Sequence, residues 1–342
     1  MRNSGAKKER QTYRAGNAGL IATVFIAFAG AFVGAVSAYL GERGVTASAM
    51  NARHPALALP EDPAQIERDR IVANIIAGAA PERLAPPSGN PAAYVPPAPT
   101  VRPKVVIILD DMGIDRRNSE RAISLPGPIT FAFLPYANKV DNLAAAARQA
   151  GGEVMLHLPM EPSGAADPGP RALKVGMTGG DFLKNLEWNL ARFDGYVGVN
   201  NHMGSKLTAD IAAMKTLLAY LDDKGLFFLD SVTTPNTAAR QAAREIGVKI
   251  FARDVFLDDE AGSEAVVKAQ LALAERIALE TGYVIAIGHP RRETLDVLGP
   301  WLTTAPARGF DLVFASALNS KPGASSKTAQ PQSLAAAPVL RR

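Results

Sequence analysis

The sequence predicts an α/β protein: a distorted (β/α) barrel of seven to eight strands, preceded by a single N-terminal transmembrane helix. Three observations carry the barrel. Short apolar runs rich in Val, Ile and Phe recur at residues 105–110, 129–135, 153–159, 196–201, 226–231, 249–256, 283–290 and 311–316. Most are apolar on successive residues, the mark of strands buried on both faces of a parallel sheet. The segments between them space their apolar residues helically, as in Leu183, Leu186 and Leu190 or Ile211, Met214, Leu217 and Leu221. Gly225 and Gly282 stand just before strand runs, where helix C-caps belong. Repeated β/α units give a barrel or an open doubly wound sheet. No G-x-G-x-x-G follows the first run, so a dinucleotide fold lacks its phosphate cradle.

In chain order, residues 1–16 form a basic flank expected to be cytoplasmic. Residues 17–41 form a transmembrane signal anchor, whose stretch 18–40 carries no charge over 23 residues. As a helix that stretch spans roughly 30 Å, the thickness of a bilayer core. Basic residues ahead of it orient the rest outward, which implies an inner-membrane, single-pass protein with its C-terminal domain in the periplasm. Ala47-Ser48-Ala49 would serve as a cleavage site if the segment is instead a signal peptide, releasing the domain to the periplasm. Residues 42–103 read as a Pro/Ala-rich linker, with 11 of the 25 prolines between 44 and 103 and one short helix around 66–76. Residues 104–317 are the folded domain, and residues 318–342 are a basic tail of disordered composition.

The formal net charge of +4 hints at an anionic partner, but its distribution removes nucleic acid from the list. Residues 1–15 hold +4 and residues 318–342 another +4, which leaves −4 for everything between. The absence of cysteine excludes disulfides, thiolate catalysis and iron–sulfur clusters.

The chemistry-bearing residues cluster at strand ends. Asp110-Asp111 ends the first run, His157 lies near the end of the third, and Asn200-Asn201-His202 ends the fourth. Asp230-Ser231 ends the fifth, Asp254 lies in the sixth, and His289 ends the seventh. In a parallel barrel these ends converge on one face. Each has a structural alternative: Asp110-Asp111 or Asp230 as helix caps, His157 as a core histidine, His202 and His289 as loop anchors. Together on one face they are better explained as a site. An Asp with two His suits zinc or a similar divalent ion with a position open to water. Adjacent carboxylates divide the work, one binding metal and one taking a proton, while a further histidine protonates the leaving group.

Five segments resemble the divergent polysaccharide deacetylase family, in the carbohydrate esterase superfamily: Val-Ile-Ile-Leu-Asp-Asp-Met-Gly (106–113), His-Leu-Pro-Met-Glu-Pro (157–162), Asn-Asn-His-Met-Gly-Ser (200–205), Leu-Asp-Ser (229–231) and Ile-Gly-His-Pro (287–290). The resemblance implies a distorted (β/α) barrel and metal-dependent removal of N-acetyl groups. It assigns Asp110 as base, His289 as general acid, and Asp111, His157 and His202 as ligands of a divalent metal, most readily Zn2+. Asn200, Asn201, Ser205, Asp230 and Glu161 are the expected supporting or substrate-binding residues. The family's pair of histidines four residues apart is missing, since Glu161 follows His157 and Lys206 follows His202 at that spacing. The Arg-Pro-Pro motif is also missing. His157 and His202 therefore have to converge from two strands.

The expected function is a membrane-anchored periplasmic deacetylase acting on an N-acetylated glycan or cell-envelope polysaccharide. The alternatives are a non-catalytic glycan- or partner-binding protein of the same fold, and another metal hydrolase such as a glycosidase, which would need two carboxylates flanking the bond. Phe133, Tyr136 and Phe256 are the aromatic residues near strand ends that a sugar would meet, and Arg253, Arg291 and Arg292 would meet an anionic substrate.

Overall fold

The structure is a computed structural model that describes residues 62–78, 101–258 and 263–319. It opens with helix α1 (Pro63–Ile76), followed by β1 (Lys104–Met112), α2 (Arg116–Ile123), β2 (Thr130–Phe133), α3 (Val140–Gln149) and β3 (Glu153–Met160). Next come α4 (Gly179–Leu190), β4 (Gly198–Met203), α5 (Ile211–Asp223), β5 (Phe227–Asp230) and α6 (Ala239–Ile246). The chain continues with β6 (Ile250–Ala252), β7 (Val255–Phe256), α7 (Glu264–Thr281), β8 (Tyr283–Gly288), α8 (Arg292–Thr304) and β9 (Asp311–Val313).

Among the described residues nine strands pair in parallel, in the order β6-β5-β4-β3-β2-β1-β8-β7, with β9 on the first half of β1. This curled parallel α/β sheet is consistent with a (β/α) barrel. Strands β2, β3 and β5 are buried throughout, and β1, β4 and β8 over most of their length, as their continuous apolar runs require. Val105, Ile107 and Leu109 face outward under the helices, while Val106 and Ile108 face inward with Ala132, Met155, Leu229, Phe251, Ile285 and Ile287. Side chains of Asp115, Thr178, Asp210 and Ser263 accept backbone N–H groups at helix N-termini. Gly225 and Gly282 take positive φ at the ends of α5 and α7, as their sequence positions imply.

Two features depart from the sequence reading. The run at 249–256 is not one strand. Arg253 N donates to Asp230 O and Asp254 N donates to Ile285 O, so the chain leaves β5 for β8 within two residues. The two ends of the strand order thereby meet in one segment, 250–256.

The second departure concerns the stretch read as a linker. The helix expected near 66–76 is present, started by Asp62 as N-cap and Pro63 in its first turn. It packs on α7 and buries Arg68, Val72 and Ile75. The Arg68 guanidinium binds both Asp254 carboxylate oxygens, at 2.9 and 2.8 Å, and Tyr283 O at 3.0 Å. An apolar sequence pattern does not announce this contact, because its anchor is a charge.

Among the described residues no helix is long and apolar enough to cross a membrane. The anchor at 17–41, the basic flank, most of the linker and the tail beyond residue 319 lie outside the described residues.

Candidate functional site

The site follows from strand periodicity. Side chains two residues apart on a strand share a face. Inward-facing Ile108, Met155, Leu229, Phe251 and Ile287 are therefore followed by Asp110, His157, Ser231, Arg253 and His289, on the same side and nearer the strand ends. On β4, Asn200 and His202 share a face. The barrel interior is thus apolar until its last layer, which is polar.

Strand alternation alone would send Asp110 and Asp111 in opposite directions. The β1–β2 register shifts between Leu109 and Met112, and Asp111 adopts φ 54°, in the left-handed region. This bulge returns the second carboxylate to the mouth. Met203, just after His202, is also left-handed, at φ 53°. The glycine after each of these methionines has no room for a side chain: a Cβ at Gly113 would lie 2.6 Å from Ala137 Cβ, and one at Gly204 2.8 Å from Met160 Cβ.

Asp111, His157 and His202 offer one ligand atom each within 4.8 Å of one another. Asp111 Oδ1 lies 3.3 Å from His157 Nε2 and 2.9 Å from His202 Nδ1. The two rings pack edge to face at 5.0 Å. Asp111 Oδ1 is buried without a hydrogen-bond partner. A facing ring nitrogen without its proton turns a lone pair toward it, whereas one that carries a proton donates to it. Protonation of both rings or a cation among the three atoms satisfies that arrangement, and one carboxylate with two imidazoles is a common ligand set for a divalent metal. The residues therefore fit a metal, as the sequence implied.

Asn200 sets the orientation of this centre. Its Nδ2 donates to Asp110 Oδ1 at 2.7 Å, so its Oδ1 faces His157 Nδ1, at 2.9 Å. A carbonyl oxygen only accepts, so His157 carries a proton on Nδ1. In the neutral ring, Nε2 is then left bare toward Asp111. This outer hydrogen bond selects the tautomer that a metal ligand needs.

The two neighbouring acids are pushed apart. Burial raises Asp110 above the usual carboxylate range, and this outweighs the lowering by His157, His289 and Asn200. Burial also acts to raise Asp111, but the neighbouring His157 and His202 rings overcome it and hold that carboxyl well below the range. One acid is thus a permanent anion suited to a ligand, the other a group able to take up a proton. Burial lowers His289, yet the bond to Asp258 reverses the sign and leaves it raised.

Asp258 is the residue that sequence reasoning missed. It is fully buried, and its Oδ1 lies 2.8 Å from His289 Nδ1. Its Oδ2 accepts from His289 N at 2.8 Å and Thr294 Oγ1 at 2.6 Å. The available signal was its position: an acid two residues past Phe256, at the end of a strand run. His289 Nε2 is consequently directed to the mouth, 3.8 Å from Asp111 Oδ2.

The other expected residues hold loops around the centre. Glu161 pairs with Lys206 at 2.8 Å and accepts from Val175 N. Ser205 Oγ accepts from Ser163 N, and Asn201 bonds Ser231 N and Met203 O. Asp230 accepts from Val232 N and Thr237 Oγ1. Phe256 is exposed beside the His289 ring at 5.5 Å, whereas Phe133 is fully buried. Tyr136 packs over Gly169, and burial with nearby Asp111 and Asp167 pushes its phenol up to about 12.

A family model described as divergent polysaccharide deacetylase matches residues 107–319. The chain belongs to that family. It is 35% identical over 231 residues to YibQ, an uncharacterized protein of Escherichia coli strain K12, covering 68% of this chain and 72% of that protein. An uncharacterized protein of Haemophilus influenzae Rd is 35% identical over 205 residues, covering 59% of this chain and 72% of that one. Among solved structures, an uncharacterized protein of Agrobacterium tumefaciens C58 superposes with a TM-score of 0.62 at 29% identity, covering 65% of this chain and 92% of the other. The family match begins at residue 107 and so leaves α1 outside it.

Proposed function

We propose that this protein is a metal-dependent deacetylase that removes N-acetyl groups from a cell-envelope glycan. The observation that supports this most is the convergence of Asp111, His157 and His202 beside Asp110, with the Asp258–His289 pair facing them.

A divalent cation, most readily Zn2+, when held by Asp111, His157 and His202, polarises an amide carbonyl and acidifies bound water. The protein supplies the proton transfers. Asp110 Oδ1 is occupied by Asn200, so Oδ2, 3.8 Å from His157 Nε2, is the oxygen free to take the proton of attacking water. His289 Nδ1 is occupied by Asp258, so Nε2 is the atom that delivers a proton to the departing amine. The site is open: the Asp111 side chain is 34% exposed, which suits a polymer lying across it. The sequence of residues 1–41 supports placement at the inner membrane with the domain in the periplasm.

The test is acetate release from N-acetylated glycans by the zinc-supplemented full chain. Asp110→Asn is expected to lower kcat by about 10²–10⁴-fold while zinc still binds, because only the proton acceptor is removed. Glycan binding without acetate release by the wild type would instead assign the non-catalytic role.

A further inference from the structure

Val232 is a β-branched residue at φ 50°, in a region that such residues rarely occupy. Three side chains hold it and its neighbour there. Asp230 Oδ1 accepts from Val232 N at 2.8 Å, and Asn201 Oδ1 accepts from Ser231 N at 2.8 Å. Arg253 donates from Nε to Ser231 O at 2.7 Å and from Nη2 to Val232 O at 2.9 Å. Arg253 is half-buried, and both of these bonds go to carbonyl oxygens rather than to a carboxylate. Its guanidinium lies over Phe256, 5.0 Å from the ring centre, and is committed to two carbonyls of a strained turn.

Strain of this kind persists where the surroundings over-determine it. Its product here is the placement of one hydroxyl. Ser231 Oγ stands 3.2 Å from Asn200 Nδ2 and accepts the amide hydrogen that Asp110 does not. With Oδ1 on His157, the whole Asn200 amide is fixed. That amide orients the proton acceptor Asp110 and selects the His157 tautomer.

We infer that Arg253 is a positioning residue of the site. By clamping the Ser231–Val232 turn it fixes Asn200, and through Asn200 it aligns Asp110 and His157, without touching substrate. The kinetic part rests on the deacetylase reading. The zinc part rests only on the ligand cluster.

The test uses the full chain and two readouts: zinc affinity by competition with a chromophoric chelator, and steady-state acetate release. Arg253→Gln is expected to weaken zinc about tenfold, as loss of outer-shell support does, and to lower kcat by a similar factor with KM unchanged. Glycine adopts φ near +50° freely. Val232→Gly should therefore leave zinc affinity near wild type alone and restore most of the loss in the Arg253→Gln background. Arg253→Lys, whose ammonium lacks the fork that spans two carbonyls, should fall between the two.

If Arg253→Gln does not fold, Ser231→Ala carries the test, since it deletes only the hydroxyl. It should weaken zinc several-fold, and wild-type affinity there overturns the inference. A rise in KM alone with zinc affinity intact would make Arg253 a substrate contact and overturn it too, as would failure of Val232→Gly to rescue. A wild type that binds zinc but releases no acetate defeats the deacetylase reading and leaves the zinc arms to decide Arg253. A wild type that binds no zinc defeats both.

Discussion

Asp254 and Asp111 are two acids drawn into the wall of one barrel, and the fold treats them in opposite ways. The Asp254 side chain is 5% exposed and fully partnered, by the Arg68 fork and by Ile285 N. Asp111 is nearer the solvent, yet its Oδ1 is buried with no hydrogen bond and faces two imidazole nitrogens. A buried carboxylate whose partners are all built in is a structural element. One whose partner is lacking is a candidate binding site. Both lie near strand ends, so position alone does not separate them. The completeness of the hydrogen-bonding does.

The comparison breaks hardest at the seam. Arg68→Met leaves Asp254 as an uncompensated buried charge, a change that costs about 3–5 kcal/mol. Chemical denaturation of the full chain should show that loss. Pairing it with Asp254→Leu should recover part of it, because Ile285 N alone then lacks its acceptor. If Arg68→Met cost less than about 1 kcal/mol, α1 would be a loosely docked spacer, as its composition suggested.

At the mouth further stability is expected to come from what is added. Zinc at about 1,000 times its Kd should raise the unfolding free energy by about 4 kcal/mol in the wild type. In Asp111→Ala that gain should vanish, and the metal-free variant should also lose the stability that a depressed carboxyl supplies near neutral pH. Equal zinc stabilisation in Asp111→Ala would show that the cluster is not the zinc site.

The same contrast explains what was legible in the sequence. The strand runs, the helical spacing and the polar strand ends were readable because burial and period-2 alternation leave local marks. Asp110, Asp111, His157, His202 and His289 were found in that way, with the family resemblance supplying their roles. The bulge that turns Asp111 inward was not readable, since it depends on a shift in pairing with β2. Nor was the break at Arg253-Asp254, where an apolar run changes partners without changing composition. Arg68 meets Asp254 across 186 residues, and its segment has the composition of a spacer. Asp258 stood in an acidic stretch that reads as solvated surface until the fold places it under His289.

The smallest effect separates a partner that orients from one that only fills space. The Asp258 side chain, like that of Asp254, is withdrawn from solvent, but its cationic partner is a titratable ring. His289 is raised above its ordinary value of about 6.5 because Asp258 outweighs burial. The associated stability is fully present below about pH 6.5 and is lost as pH rises through the folded-state value. Asp258→Asn removes the charge but nearly keeps the shape. With its amide oxygen still accepting from His289 N and Thr294 Oγ1, the amide NH2 faces His289 Nδ1 and can only donate. The neutral ring must then carry its proton on Nε2 and accept at Nδ1, and the imidazolium is no longer favoured. The alkaline limb of the kcat profile should move to lower pH. The stability gap between wild type and variant, about 1.5–3 kcal/mol for a charge-assisted bond, should be widest in acid and shrink above the wild-type His289 transition. An unmoved alkaline limb with the same stability loss would make Asp258 a counterpart of Asp254, a packing carboxylate with no part in proton delivery.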